Sequence, residues 1–279
     1  GDLAWAAGDS RSRGFLLGAT AGRTTLNGEG LQHEDGHSHL LSATIPNCIS
    51  YDPCFSYELA VIIQNGLERM IKNQEDVFYY ITIMNENYSH PEMPKNISED
   101  IIKGIYKYSE SKASGPKVQL MGSGVILREV IGAASILEKD FNISSTIYSV
   151  TSFTEVRRNA LDIQRWNMLN SDKTEKKSIL DEIILDLESP IITATDYMKS
   201  FAEQIATFLP NKFISLGTDG FGRSDSREAL RDFFEVDRNH IVIAALKALT
   251  EKQEIEKSVL LSAIKKYKIM NDKPNPVSL

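Results

Sequence analysis

A chain of 279 residues, 42% of them hydrophobic and 25% charged, has the balance of a folded globular protein and length enough for two cores. Its net charge of −7, with no basic stripe to offset it, excludes nucleic acid as the natural partner. No apolar run approaches the length that crosses a membrane, and two cysteines, Cys48 and Cys54, are too few for an extracellular disulfide framework, which favours a reducing cytoplasm.

The chain opens GDLAWAAGDSRSRGFLLGAT, with no initiator Met and no basic region leading into an apolar run, and so reads as a cut through a larger protein. Residues 22–39, GRTTLNGEGLQHEDGHSH, follow. They hold three of the five histidines, three carboxylates, four glycines and two threonines. No apolar face recurs there at helical or strand period, so an exposed loop is expected, where function collects. A solvated connector, a metal site and a loop that handles an anion or a carbonyl are the readings open to it. His33, Asp35, His37 and His39 lie within seven residues, but no distant Cys or His cluster completes a zinc shell, and no metal ligand is assigned. Gly28 and Gly30 let backbone approach a ligand, and a histidine donates protons near neutral pH.

Strands are predicted at residues 45–50 and 77–84, the second a short β-branched and aromatic run of the kind buried in a parallel sheet. Between them, residues 56–72 repeat Leu59, Ile62, Ile63 and Leu67 at helical period. NENYSHPEMPKNISED then breaks the pattern with two prolines, which sets a first unit at 1–93, a linker at 94–98 and a second unit at 99–279. In the second unit strands are predicted at 118–121, 146–150, 191–194 and 213–216. Helices are predicted at 125–139, 154–169, 178–187, 196–208, 226–234 and 241–249, with Asp225 and Glu228 as a capping box for 226–234. Strands separated by helices give an α/β fold: two open, mostly parallel sheets covered by helices.

Other features read as structure. Gly122 and Gly124 in MGSGVILREV suit a tight strand-to-helix turn, since Leu127 stands where a dinucleotide fingerprint needs its third glycine. Thr218-Asp219-Gly220 lacks the first glycine of a Gly-Asp-Gly magnesium motif and reads as a polar turn at a strand end. Arg157, Arg158 and Arg165 around Trp166 are expected to pair with Glu155 and Asp162. His90 and His240 are expected at the surface or at helix starts.

The loop, with the IPNCISYDP that follows it, resembles the homodimeric pyruvate dehydrogenase E1 family of bacteria, thiamine-diphosphate-dependent and transketolase-like. VFYYITIMNENY, SVTSFTEVRRNALDIQRWN, TDYMKSFAEQI and LGTDGFGRSDSREALRDFFEVD extend the likeness over nearly the whole chain, in the family's order. The resemblance implies part of a pyrimidine-binding domain followed by a transketolase C-terminal-like domain. It implies that His33 reaches substrate and cofactor as the catalytic histidine, with Glu29 beside it, and that His37 and His39 touch substrate or support the others. It implies oxidative decarboxylation of pyruvate on thiamine diphosphate with Mg2+, whose ligands lie upstream, so that these residues alone are inactive. It further implies that the acetyl group passes to the lipoyl domain of a dihydrolipoyl acetyltransferase (E2) partner and that the enzyme is a homodimer in the cytoplasm; neither nucleic acid nor membrane is expected as a partner. A transketolase-like transferase acting on sugar phosphates and a noncatalytic dimerisation module are the alternatives.

Overall fold

The computed structural model describes residues 1–19, 22–26 and 33–279. In chain order the first part comprises α1 (Asp2–Asp9), β1 (Phe15–Ala19), α2 (Ser38–Ala43), β2 (Cys48–Tyr51), α3 (Ser56–Leu67) and β3 (Phe78–Ile83). The second comprises α4 (Ser98–Lys103), β4 (Tyr106–Glu110), β5 (Lys117–Gly122), α5 (Leu127–Phe141), β6 (Ser144–Ser149), α6 (Phe153–Leu169) and α7 (Ile179–Ile183). It continues through β7 (Ile191–Ala194), α8 (Lys199–Glu203), β8 (Phe213–Leu216), α9 (Arg227–Phe233), α10 (Arg238–Glu251) and α11 (Lys257–Lys266). Among the described residues no helix is long and apolar enough to cross a membrane.

Two sheets organise these elements, as the alternation of strands and helices requires. The first is parallel, in the order β1-β3-β2. The second runs β4-β6-β5-β7-β8 and is parallel except for β4, which lies antiparallel to β6 at its edge. Side-chain alternation along β5 splits the second core in two. Val118 and Leu120 face α5 and α10, while Met121 faces Phe153 and Val156 of α6 and Phe201 of α8. In the first sheet Tyr79 and Ile81 pack with Ile62 of α3, and Ile101 of α4 and Tyr106 of β4 join the same core.

Several predicted elements change their bounds for local reasons. Residues 45–50 begin as a turn because Pro46 has no N–H to give, and the strand is only Cys48–Tyr51. The helix at 56–72 ends at Leu67 and passes into a π-helical turn, Glu68–Lys72. The stretches 178–187 and 196–208 hold only the single turns of α7 and α8, the latter followed by a 3-10 turn at Ala206–Phe208. Ser226, not Asp225, caps α9, its hydroxyl accepting from the Ala229 N–H.

Candidate active site

The described residues of segment 22–39 are less exposed than its composition suggests. Arg23, Thr24, Thr25, Leu26, Glu34, Gly36 and His39 are buried. The reason lies in partners that composition does not show. Asp196, beyond the carboxyl end of β7, accepts the Thr24 N–H at 2.9 Å on one carboxylate oxygen and the Thr25 hydroxyl at 2.7 Å on the other. Its backbone carbonyl accepts the Arg23 N–H at 3.3 Å. Gly22 makes this approach possible: its φ is +88°, and a Cβ there would strike the Asp196 carboxylate. From α9, Arg231 Nε donates to Thr24 Oγ1 at 3.3 Å and Arg227 Nε to the Thr25 carbonyl at 2.9 Å.

The other flank is tied to the same region. Arg223 N donates to Glu34 Oε2 at 2.6 Å, and Met198 N donates to the Gly36 carbonyl at 2.8 Å. Asp35 turns the chain into α2 by accepting the His37 and Ser38 N–H groups at 3.0 and 2.9 Å. His33 stands exposed between these anchored flanks. Gly28, Glu29 and Gly30 lie outside the described residues.

His37 is exposed at the start of α2, whereas His39 is fully enclosed. Its ring stacks on Phe201 with centroids 4.6 Å apart and meets Tyr197 edge-on at 4.8 Å. His39 Nε2 lies 3.0 Å from Thr82 Oγ1, and the Thr82 hydroxyl donates to Asp52 Oδ1 at 2.7 Å. Thr82 thus links the His39 ring to the Asp52 carboxyl group. Burial lowers the His39 pKa to about 4 and keeps it a neutral packing element.

Buried carboxyl groups surround the loop. Burial raises Glu34 to about 7, and its Oε1 has no hydrogen-bond partner among the described residues. Burial also raises Asp196, opposed by the charge of Arg231. The Arg23 guanidinium, lowered by burial, sits amid Asp35, Asp219, Glu34 and Asp196 and donates to the Thr218 carbonyl.

The remaining sequence features are structural. Thr218 Oγ1 donates to the Asp196 carbonyl at 2.9 Å, Lys199 N reaches Asp219 Oδ2 at 3.3 Å, and Gly220, at φ +100°, abuts the Pro276 carbonyl. Thr218 and Asp219 are thus engaged within the fold. Gly124 suits its place twice over: its φ is +49°, and a Cβ there would stand 2.6 Å from Asp52 Oδ2. Arg158 pairs with Glu155 at 2.8 Å and staples α6 to the first sheet through the carbonyls of Cys48 and Ile45. His90 Nδ1 accepts the Ser56 N–H at the start of α3, and His240 rests on Asp237, the cap of α10.

Comparison with known proteins draws these observations together. Residues 1–91 match the pyruvate dehydrogenase E1 component middle domain, and residues 104–237 the transketolase-like C-terminal domain. The pyruvate dehydrogenase E1 component of Cupriavidus necator is 56% identical over 281 residues, spanning 100% of this chain and 31% of the relative. That of Escherichia coli K12 is 57% identical over 278 residues, with 99% and 31% covered. The chain belongs to the pyruvate dehydrogenase E1 family. It spans about a third of the length of the curated relatives it matches. Transketolases of Campylobacter jejuni and Leishmania mexicana share the fold, each with a TM-score of 0.66, at 15% and 13% identity over 88% and 90% of this chain and 33% and 32% of theirs. Within the E1 family fold, the flanking anchors are the part that motif reading did not reach. Asp196, Arg223 and Arg231 lie in stretches that carry the resemblance, but nothing local marks them as anchors, and the one available signal was that Asp196 follows a parallel strand at its carboxyl end.

Proposed function

We propose that this chain carries the histidine loop and C-terminal domain of an E1 subunit. That subunit decarboxylates pyruvate oxidatively with thiamine diphosphate and transfers the acetyl group to the lipoyl group of a dihydrolipoyl acetyltransferase partner. His33 serves there as the proton-handling group with Glu29 as the second catalytic residue, and His37 and His39 have supporting roles. The first unit ends near residue 93 and the second begins near 99. The enzyme works as a homodimer in the cytoplasm, and Mg2+ and the diphosphate are held by residues outside this chain.

The observation that carries this reading is the 56–58% identity to several relatives named pyruvate dehydrogenase E1 component, sustained across 99–100% of the chain. The exposed imidazole of His33 between two anchored flanks supports its role, because a proton-transfer group needs both access and fixed geometry. When bound, thiamine diphosphate supplies the electron sink for decarboxylation. Among the described residues, Thr218 and Asp219 spend their polar groups on hydrogen bonds within the fold, so no step is assigned to that turn.

The test uses the full-length protein with thiamine diphosphate and Mg2+. Pyruvate with a lipoyl acceptor should be consumed, and ketose phosphates should not. Ketose turnover without pyruvate turnover would move the protein to the sugar-phosphate transferases.

A further inference from the structure

Both ends of the His33 segment close on one short stretch, residues 196–198. The carboxylate of Asp196 takes Thr24 and Thr25 on the incoming side, and the Met198 N–H takes the Gly36 carbonyl on the outgoing side. This stretch is itself rigid. It leaves β7 buried, Thr195 N donates to the Leu216 carbonyl at 3.2 Å, and Thr218 N donates to the Tyr197 carbonyl at 2.8 Å. Asp196 is wholly enclosed, and a buried carboxylate is tolerated only where its oxygens are satisfied. Here consecutive residues of the loop satisfy them, and the nearby cation, Arg231, itself donates to Thr24.

We propose that Asp196 is a positioning residue for the reaction, fixing His33 by clamping Thr24 and Thr25 at the entrance of its loop. The proposal rests on the reading of His33 as the proton-handling group. Asp196 touches neither substrate nor cofactor in this scheme. It acts by restricting where the His33 segment begins, while residue 198 restricts where it ends. A displacement of about 1 Å at a reacting group costs on the order of 10²-fold in rate, so a clamp of this kind appears in turnover before it appears in binding.

The experiment is a variant set in the full-length protein, assayed with pyruvate and a lipoyl acceptor. Asp196→Asn should lower kcat by roughly 10–100-fold while KM for pyruvate and thiamine diphosphate affinity stay within about twofold. Thr25→Val, which removes the hydroxyl but keeps the shape, should fall in the same direction, and Thr25→Ser should restore turnover to within about twofold of the unmodified protein. In combination with His33→Ala, Asp196→Asn should add no further loss, because the group it positions is gone. Multiplying losses in the double variant, or an Asp196→Asn enzyme with normal kcat, overturns the clamp while leaving His33 in place. Normal turnover by His33→Ala overturns the clamp and the His33 reading together. If Asp196→Asn does not fold, the Thr25 pair decides, and equal rates for Val and Ser overturn the proposal.

Discussion

Ser123 donates its hydroxyl to Asp52 Oδ2 at 2.8 Å, joining the end of β5 in the second sheet to the end of β2 in the first. Asp52 is completely buried, and burial raises its carboxyl from 3.8 to about 7. The folded protein therefore holds a proton that the unfolded chain has already released between those values. The stability this gives is complete below pH 3.8 and lost as pH rises through 7. Asp52→Asn keeps the shape without the charge. Its melting temperature relative to the unmodified protein should rise between pH 5 and pH 8, by at least about 2–4 °C, the shift one kcal/mol gives in a domain of this size. A constant difference across that range would show that Asp52 does not titrate on folding.

His39 has the opposite sign. Its pKa falls from 6.5 to about 4 in the folded state, so the unfolded chain binds the proton first. The contribution of His39 is complete above pH 6.5 and lost as pH falls through 4. His39→Phe can stack on Phe201 but gives nothing to Thr82. The variant should melt lower than the unmodified protein at pH 7.5, by about 2–4 °C, and the gap should close by pH 4.5. Thermal melts at the two pH values check this. A gap that widens in acid would contradict the assignment of His39 as a neutral packing element.

The roles proposed for His33 and His37 can be told apart within one loop. His33→Ala in the full-length protein should leave folding and cofactor affinity unchanged, since the side chain is exposed, while pyruvate turnover falls by about 10²–10⁴-fold. His37→Ala should cost much less, because only the His37 backbone N–H engages Asp35. Steady-state rates with melting temperatures decide between them. Equal, small losses would make the loop a connector.

Much of the fold was legible because β7, buried in a parallel sheet, and β8, half-buried at its edge, read as short, mainly apolar runs between helical stretches. The predicted bounds 191–194 and 213–216 coincide with Ile191–Ala194 and Phe213–Leu216. β1 was not legible. FLLGA contains a glycine and runs at the edge, with Leu16 and Leu17 exposed. β4 was missed because YKYSE looks polar, its Tyr106 being the one residue turned fully inward. The loop announced itself by its density of histidine and glycine, but its burial did not. Thr24, Thr25 and Glu34 look solvent-seeking until Asp196, Arg231 and Arg223 arrive from far along the chain. Such pairings leave no periodicity in a single sequence.

The two-sided grip of residues 196–198 on the histidine loop bears on how the protein can be taken apart. A protease cut within 94–98 divides the chain between its sheets, yet it also separates the loop from every anchor described for Thr24, Thr25, Glu34 and Gly36. The two pieces would have to find each other again before the imidazole had a fixed address. In this molecule the seam between the two sheets does not part the loop's supports from one another, and the second sheet is the mount on which the histidine loop of the first part is held.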